Sequence, residues 1–180
     1  RARNSTEPRA IGIADFVRKP GGGWQVAVQV VPAVPDGVTP DAALTSLVEQ
    51  AHRRSSKQID RVVARLRAPM KRAPGEHPLG NFVADAQRNV TRADVALMNS
   101  GGVRADLAAG PVTFGALFAV MPFNNKVVVL ELTGTQLREV LEAALRNGGP
   151  SAHVAGATVR YDPRRPAGER VREVRFTGGK

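Results

Sequence analysis

The residues best suited to chemistry lie in NSGGVR, Asn99 to Arg104, directly after the apolar run ADVALM. Asn99 carries a donor and an acceptor on one side chain. Gly101 and Gly102 lack a Cβ, so they can adopt positive φ and bring backbone N–H groups close to a ligand. Arg104 adds a planar fork of donors suited to a carboxylate, a phosphate or vicinal hydroxyls. A plain turn accounts for the glycines and the asparagine equally well; it does not account for an arginine so soon after them. Two further stretches carry candidates. In VMPFNNKV, Phe123 follows a proline and precedes two asparagines, which puts it in a turn. Its ring there either packs onto the core or stands as a stacking platform for a flat ring. In KRAPGEHPLGNFVADA, Arg72 and Glu76 flank a helix start, whose free N–H groups favour anions. Glu76 also reads as an ordinary surface charge.

A reaction centre is harder to find. His52, His77 and His153 are scattered, without the H-x-x-x-H spacing of a metal pair. The notable loop carboxylates are Glu76, Asp85, Asp94 and Asp106. No G-x-S-x-G elbow, Walker loop or dinucleotide fingerprint occurs. The chain's own residues are therefore poor candidates for carrying out a reaction. The formal net charge of +10 favours polyanions in general. Its arginines are spread along the chain, without the block of like charges or the aromatic signature of a dedicated nucleic-acid surface. The absence of cysteine excludes disulfides and thiolate metal sites and leaves the compartment open. No apolar run approaches the roughly 20 residues of a membrane span. The N-terminal RARNSTEPRA lacks a signal-peptide core and reads as a cut or mature end.

The elements that must position these residues follow from periodicity and punctuation. IGIADFV and WQVAVQVV, joined by RKPGGG, read as a hairpin. After the proline-punctuated PAVPDGVTP, Thr39 and Pro40 open a helix to about Ser56, with Leu44, Leu47, Val48 and Ala51 on one buried stripe. VVARLR is a strand, and a helix opens at Pro78 with Leu79, Phe82, Val83 and Ala86 on one face. DVALMN is a short buried strand, and Thr113 caps a short helix carrying Leu117 and Val120. KVVVLELT is the clearest strand of the sequence and is expected to be central. Gly134 leads into a helix whose stripe is Leu137, Val140, Leu141, Ala144 and Leu145, stopped by Asn147-Gly148-Gly149-Pro150. HVAGATVRYD and RVREVRF are two last strands. The alternation predicts an α/β (α+β) domain from about Val62, a mixed sheet with flanking helices, following an N-terminal hairpin and linker helix. The ending just after a strand suggests truncation.

EHPLGNFVADA, then NSGGVR, then VTFGALFAVMPFNNKVVVLELTGTQLREVLE occur in one order. Together they resemble the C-terminal domain of the 5'-nucleotidase family, which includes bacterial UDP-sugar hydrolases and animal ecto-5'-nucleotidases. The resemblance covers about Val62 to Phe176. It implies a two-domain hydrolase in which an N-terminal metallophosphoesterase domain holds two divalent metal ions, such as Zn, Mn or Ca, and a catalytic Asp–His pair. The C-terminal domain grips a nucleotide or nucleoside. By position Asn99, Gly101, Gly102 and Arg104 then look like substrate-contacting residues, and Phe123 like one of two aromatics that sandwich the base. Arg72 stands nearest to a family arginine, with a different register to Glu76. The metal ligands and the later G-G-D-G-[FY] segment have no counterpart here. Residues 1–38 then correspond to the end of the preceding domain and a linker, 39–60 to a linker helix, and 61–180 to an incomplete C-terminal-type domain. This chain alone is expected to be inactive and to bind no metal, and the parent to be extracytoplasmic: secreted, periplasmic or at the cell surface. A non-catalytic module binding a polyanion or a protein is the alternative that the +10 charge motivates.

Overall fold

The structure, a computed structural model, describes residues 10–32, 39–145 and 149–178. The chain divides into two compact units, Arg1–Arg54 and Ser55–Lys180. In the first, β1 (Ala10–Arg18) and β2 (Trp24–Pro32) form an antiparallel hairpin registered from Ala10↔Pro32 to Arg18↔Trp24. Its turn is closed by Lys19 N–H donating to Gly23 O at 3.0 Å and Gly22 N–H to Lys19 O at 3.1 Å. Gly21, Gly22 and Gly23 all have φ between 84° and 100°, a region that side chains with a Cβ avoid. Helix α1 (Ala42–Ile59) starts later than the sequence suggests. Asp41, not Thr39, is its cap: the Asp41 carboxylate accepts from Leu44 N–H at 2.9 Å, where a negative charge also suits the helix dipole. The expected stripe is not buried, with Leu44, Leu47 and Val48 62–67% exposed. An amphipathic pattern specifies a face that needs a partner; it does not supply one.

The second unit begins with β3 (Val62–Leu66), which pairs antiparallel with β5 (Gly110–Thr113). Helix α2 (Pro78–Thr91) and β4 (Ala96–Asn99) follow β3, and β4 pairs antiparallel with β6 (Ala152–Ala155). Thr113 caps α3 (Phe114–Val120), its hydroxyl accepting from Ala116 N–H at 3.1 Å. A reciprocal Thr133–Gln136 capping box opens α4 (Gly134–Ala144). Strands β7 (Ala157–Tyr161) and β8 (Val171–Phe176) form the last antiparallel pair. Helices combined with strands match the expected α/β class. The strands are grouped in four two-stranded antiparallel sheets among the described residues.

Several local expectations change. HVAGATVRYD is two strands, broken at Gly156, whose φ is 82° and where a Cβ would meet Asp94 O at 2.0 Å. KVVVLELT forms no strand: residues 124–132 are irregular, and Val127 to Leu130 are 54–72% exposed. High β propensity is realised only against a pairing neighbour, and none of the described strands pairs with it. On α2 the inward face is Leu79, Gly80 and Ala84, while Phe82 is 48% exposed and Ala86 also faces out. On α4, Leu141 and Leu145 are buried and Val140 is exposed. The expected helix stop at Asn147 and Gly148 lies outside the described residues.

Two apolar clusters hold the second unit. One gathers Leu79, Met98, Val103, Leu107, Val112 and Val120 between α2, β4 and α3; the other is Leu141, Leu145 and Val171. Beside the second lies the buried Glu142, accepting from Gly168 N–H at 3.1 Å and Val171 N–H at 2.5 Å. Burial pushes its pKa up, but the amides of Val171, Arg170 and Gly168 outweigh that and hold it below the usual glutamate range. The ionised carboxylate thereby pins the turn before β8.

His77 caps α2, its Nδ1 accepting from Gly80 N–H at 3.0 Å, with Pro78 in the first helical position. The fully buried His153 ring stands edge-on to His77 at 4.3 Å, and neither of its nitrogens has a hydrogen-bond partner among the described residues. Burial first, then His77, holds its pKa below the ordinary value, with Glu76 pulling weakly the other way. A histidine that folds neutral and unfolds into water binds more protons when unfolded. Its stabilisation is present above the unfolded pKa of about 6.5 and is lost as pH falls below it. Melting temperature should therefore fall between pH 7.5 and 5, and His153→Gln should flatten that slope. Parallel profiles for the two proteins would show that His153 is not the group responsible.

Candidate functional site

Strand β4 delivers the NSGGVR loop. Asn99 is its last residue, paired with Ala152, and Ser100 N–H donates to Ser151 O at 2.8 Å. Residues Ser100–Gly102 then make a single 3-10 turn, closed by Val103 N–H to Ser100 O at 3.3 Å. The glycines do not take positive φ as expected. Gly102 is required for space instead: a Cβ there would lie 2.2 Å from Met98 Cε and 3.3 Å from Asn99 Oδ1. The missing side chain lets the Asn99 carboxamide lie back over the turn. Asn99 itself is exposed, and its side chain makes no capping bond.

Val103, 3% exposed, plugs the loop into the core, which fixes where the next residue emerges. Arg104 N–H donates to Val120 O at 2.8 Å, tying the loop to the end of α3, three residues before Phe123. The Arg104 guanidinium consequently lies 6.0 Å from the Phe123 ring centroid, at the outer limit of a cation–π contact. Its Nη1 donates to Gly101 O at 3.2 Å, while Nε is buried without a partner among the described residues. Phe123 sits in a turn and remains 44% exposed. The ring is therefore not buried in the core.

Arg72 reaches the same loop through a residue that stands out in the sequence only as a loop carboxylate. Asp106 Oδ1 accepts from both Arg72 N–H at 2.9 Å and Arg72 Nε–H at 3.0 Å. The Arg72 backbone amide, then its side chain, hold the Asp106 pKa below the usual carboxylate range. No local pattern could signal a partner 34 residues away. Glu76 is engaged locally, accepting from Asn81 Nδ2 at 2.7 Å.

The structure thus gathers Asn99, Gly101, Gly102, Arg104 and Phe123, with Arg72 joined through Asp106, on an open rim. A concavity of about 430 Å³ between Arg160, Tyr161, Arg172 and Glu173 contains none of them. A smaller one of about 170 Å³ under α4 touches only Glu76 among the candidate residues. Among the described residues no group of three or more His, Asp or Glu could hold a metal ion. No described helix is long and apolar enough to cross a membrane.

Comparison with known proteins gives this rim a context. The family model described as 5'-nucleotidase, C-terminal domain, matches residues 56–180. The endonuclease YhcR of Bacillus subtilis is 33% identical over 129 residues, covering 69% of this chain and 11% of that protein. The trifunctional nucleotide phosphoesterase YfkN of the same organism is 39% identical over 109 residues, covering 56% and 8%. The crystal structure of a 5'-nucleotidase precursor from Thermus thermophilus superposes with a TM-score of 0.79 at 25% identity, covering 93% of this chain and 36% of that one. The chain spans about a tenth of the length of these two Bacillus relatives. With a family model matching residues 56–180, the chain belongs to the 5'-nucleotidase C-terminal domain family.

Proposed function

We propose that this domain holds the nucleoside of a nucleotide substrate while a metal-bearing domain of the same polypeptide hydrolyses the phosphate ester or anhydride. The observation that carries the reading is the half-exposed Phe123 ring with the Arg104 guanidinium over it, Arg104 standing on the loop that begins at the exposed Asn99. A base stacks on the open part of the ring, where aromatic contact excludes water from one face. Asn99 and Arg104 donate to the sugar hydroxyls or to the adjoining phosphate. Held at both ends, the nucleotide presents its phosphate in a fixed direction, and orientation of this kind can lower a barrier substantially.

The described residues do not fit a metal centre, so no hydrolytic step is assigned to them. Two divalent ions in a metallophosphoesterase domain would supply the activated water. In this arrangement residues 1–38 close that domain, 39–60 link it, and 61–180 grip the substrate. The setting is extracytoplasmic: secreted, periplasmic or at the cell surface.

The test is a calorimetric titration of the 180-residue chain with AMP, alongside a phosphate-release assay with Mn²⁺ or Zn²⁺. Saturable binding without phosphate release is expected. Release that follows the chain through repurification would overturn the division of labour.

A further inference from the structure

We propose that Asp106 is a positioning residue that orients Arg72 toward the same bound nucleotide that Arg104 contacts. This rests on the reading that the NSGGVR rim holds a nucleotide. One carboxylate oxygen of Asp106 takes two donors from a single residue, the backbone N–H of Arg72 at 2.9 Å and its Nε–H at 3.0 Å. Nearby, Met70 and Leu107 exchange both backbone hydrogen bonds at 2.9 Å, zipping the two loops together. Backbone and side chain of Arg72 are thus fixed to one atom on a braced loop.

The choice of Nε matters. An Asp–Arg pair whose only purpose is ion pairing can use the two terminal nitrogens in a fork. Here the contact is through Nε, and no bond from either Nη of Arg72 is found among the described residues. The guanidinium keeps its two outer nitrogens for another acceptor. Asp106 and Arg72 are both partly exposed, with side-chain exposures of 47% and 41%, so a soluble anion can reach them. Asp106 follows Arg104 by two residues, a chain span of at most about 7 Å. The guanidinium anchored by Asp106 and the one over Phe123 are thus carried by neighbouring positions of one loop. Two guanidiniums presented from one loop suit a ligand that carries a phosphate next to a ribose.

The experiment compares AMP and adenosine binding to the 180-residue chain as wild type, Arg72→Ala, Asp106→Ala, Asp106→Asn and the double variant, with thermal melts of each. Asp106→Ala should weaken AMP binding by about fivefold, on the scale of one charge-assisted contact. Arg72→Ala should do the same, and the double variant should be no weaker than Arg72→Ala alone. Asp106→Asn, which keeps an acceptor, should recover part of the loss. Adenosine binding should change less than AMP binding. Additive losses, or losses that simply follow the melting temperature, would assign Asp106 a structural role and overturn the inference. If wild type binds AMP through Arg104 and Phe123 while Asp106→Ala binds equally well, the inference fails and the nucleotide reading survives. A wild type that takes no AMP overturns both.

Discussion

Phe123→Ala should weaken AMP binding by about tenfold or more, since stacking of a base on an aromatic side chain contributes roughly 1–3 kcal/mol. The ring is 44% exposed in its turn after α3, so removing it leaves the core intact and the melting temperature little changed. Arg104→Ala should have at least as large an effect, because it removes donors to the ligand and the cation that sits over the ring. Its guanidinium is also held by Gly101 O, so a lysine cannot reproduce the planar fork and should not rescue binding. Arg160→Ala, on the β7–β8 hairpin, is the control for bulk charge and should bind AMP as wild type does. Equal weakening by all three substitutions would indicate that the +10 charge, and not a built site, attracts the nucleotide. Raising the salt concentration separates the same possibilities, because binding by bulk charge collapses with screening.

Gly80→Ala should destabilise the second unit by about 2 kcal/mol, the balance of two opposing effects. A Cβ at residue 80 would lie 2.2–2.3 Å from three atoms of the His153 ring. That ring is fully buried and packs against His77 at 4.3 Å, so it has nowhere to retreat. Alanine is the better helix former by about 1 kcal/mol, but overpacking of a closed core costs about 3 kcal/mol, and the clash wins. The melting temperature should drop by roughly 5–10 °C. Placed in a His153→Ala background, the same substitution should cost little or nothing, because the obstructing ring is gone. A Gly80→Ala protein that melts at or above the wild-type temperature would mean that the two residues do not meet in this way.

Much of the positioning framework is legible in the sequence, for identifiable reasons. The hairpin, the helix opening at Pro78, the Thr113 cap and the short strand before Asn99 all carry local signals, either punctuation or a cap placed before an apolar run. What is not legible depends on partners. KVVVLELT has the composition of a central strand, and its residues are exposed because a ladder needs a neighbour. The stripe of α1 is apolar yet uncovered for the same reason. Gly110 and Pro111 resemble a loop leading to a helix; only pairing with β3 makes β5 a strand. At the rim, residue types point to Asn99, Arg104 and Phe123. Gly102 suggests backbone freedom, whereas the need it meets is steric, beside Met98 and Asn99. The Asp106–Arg72 contact spans 34 residues and leaves no trace in local pattern.

On the proposed function, the NSGGVR rim and no other surface receives the nucleotide. The most direct test is a titration of the isotopically labelled chain with AMP, followed by backbone and side-chain NMR shifts residue by residue. Shifts that concentrate on Asn99 to Arg104 and on Phe123, and that saturate together, are the predicted result. Shifts confined to the β7–β8 hairpin around Arg160 and Arg172, or none at millimolar AMP, would contradict it.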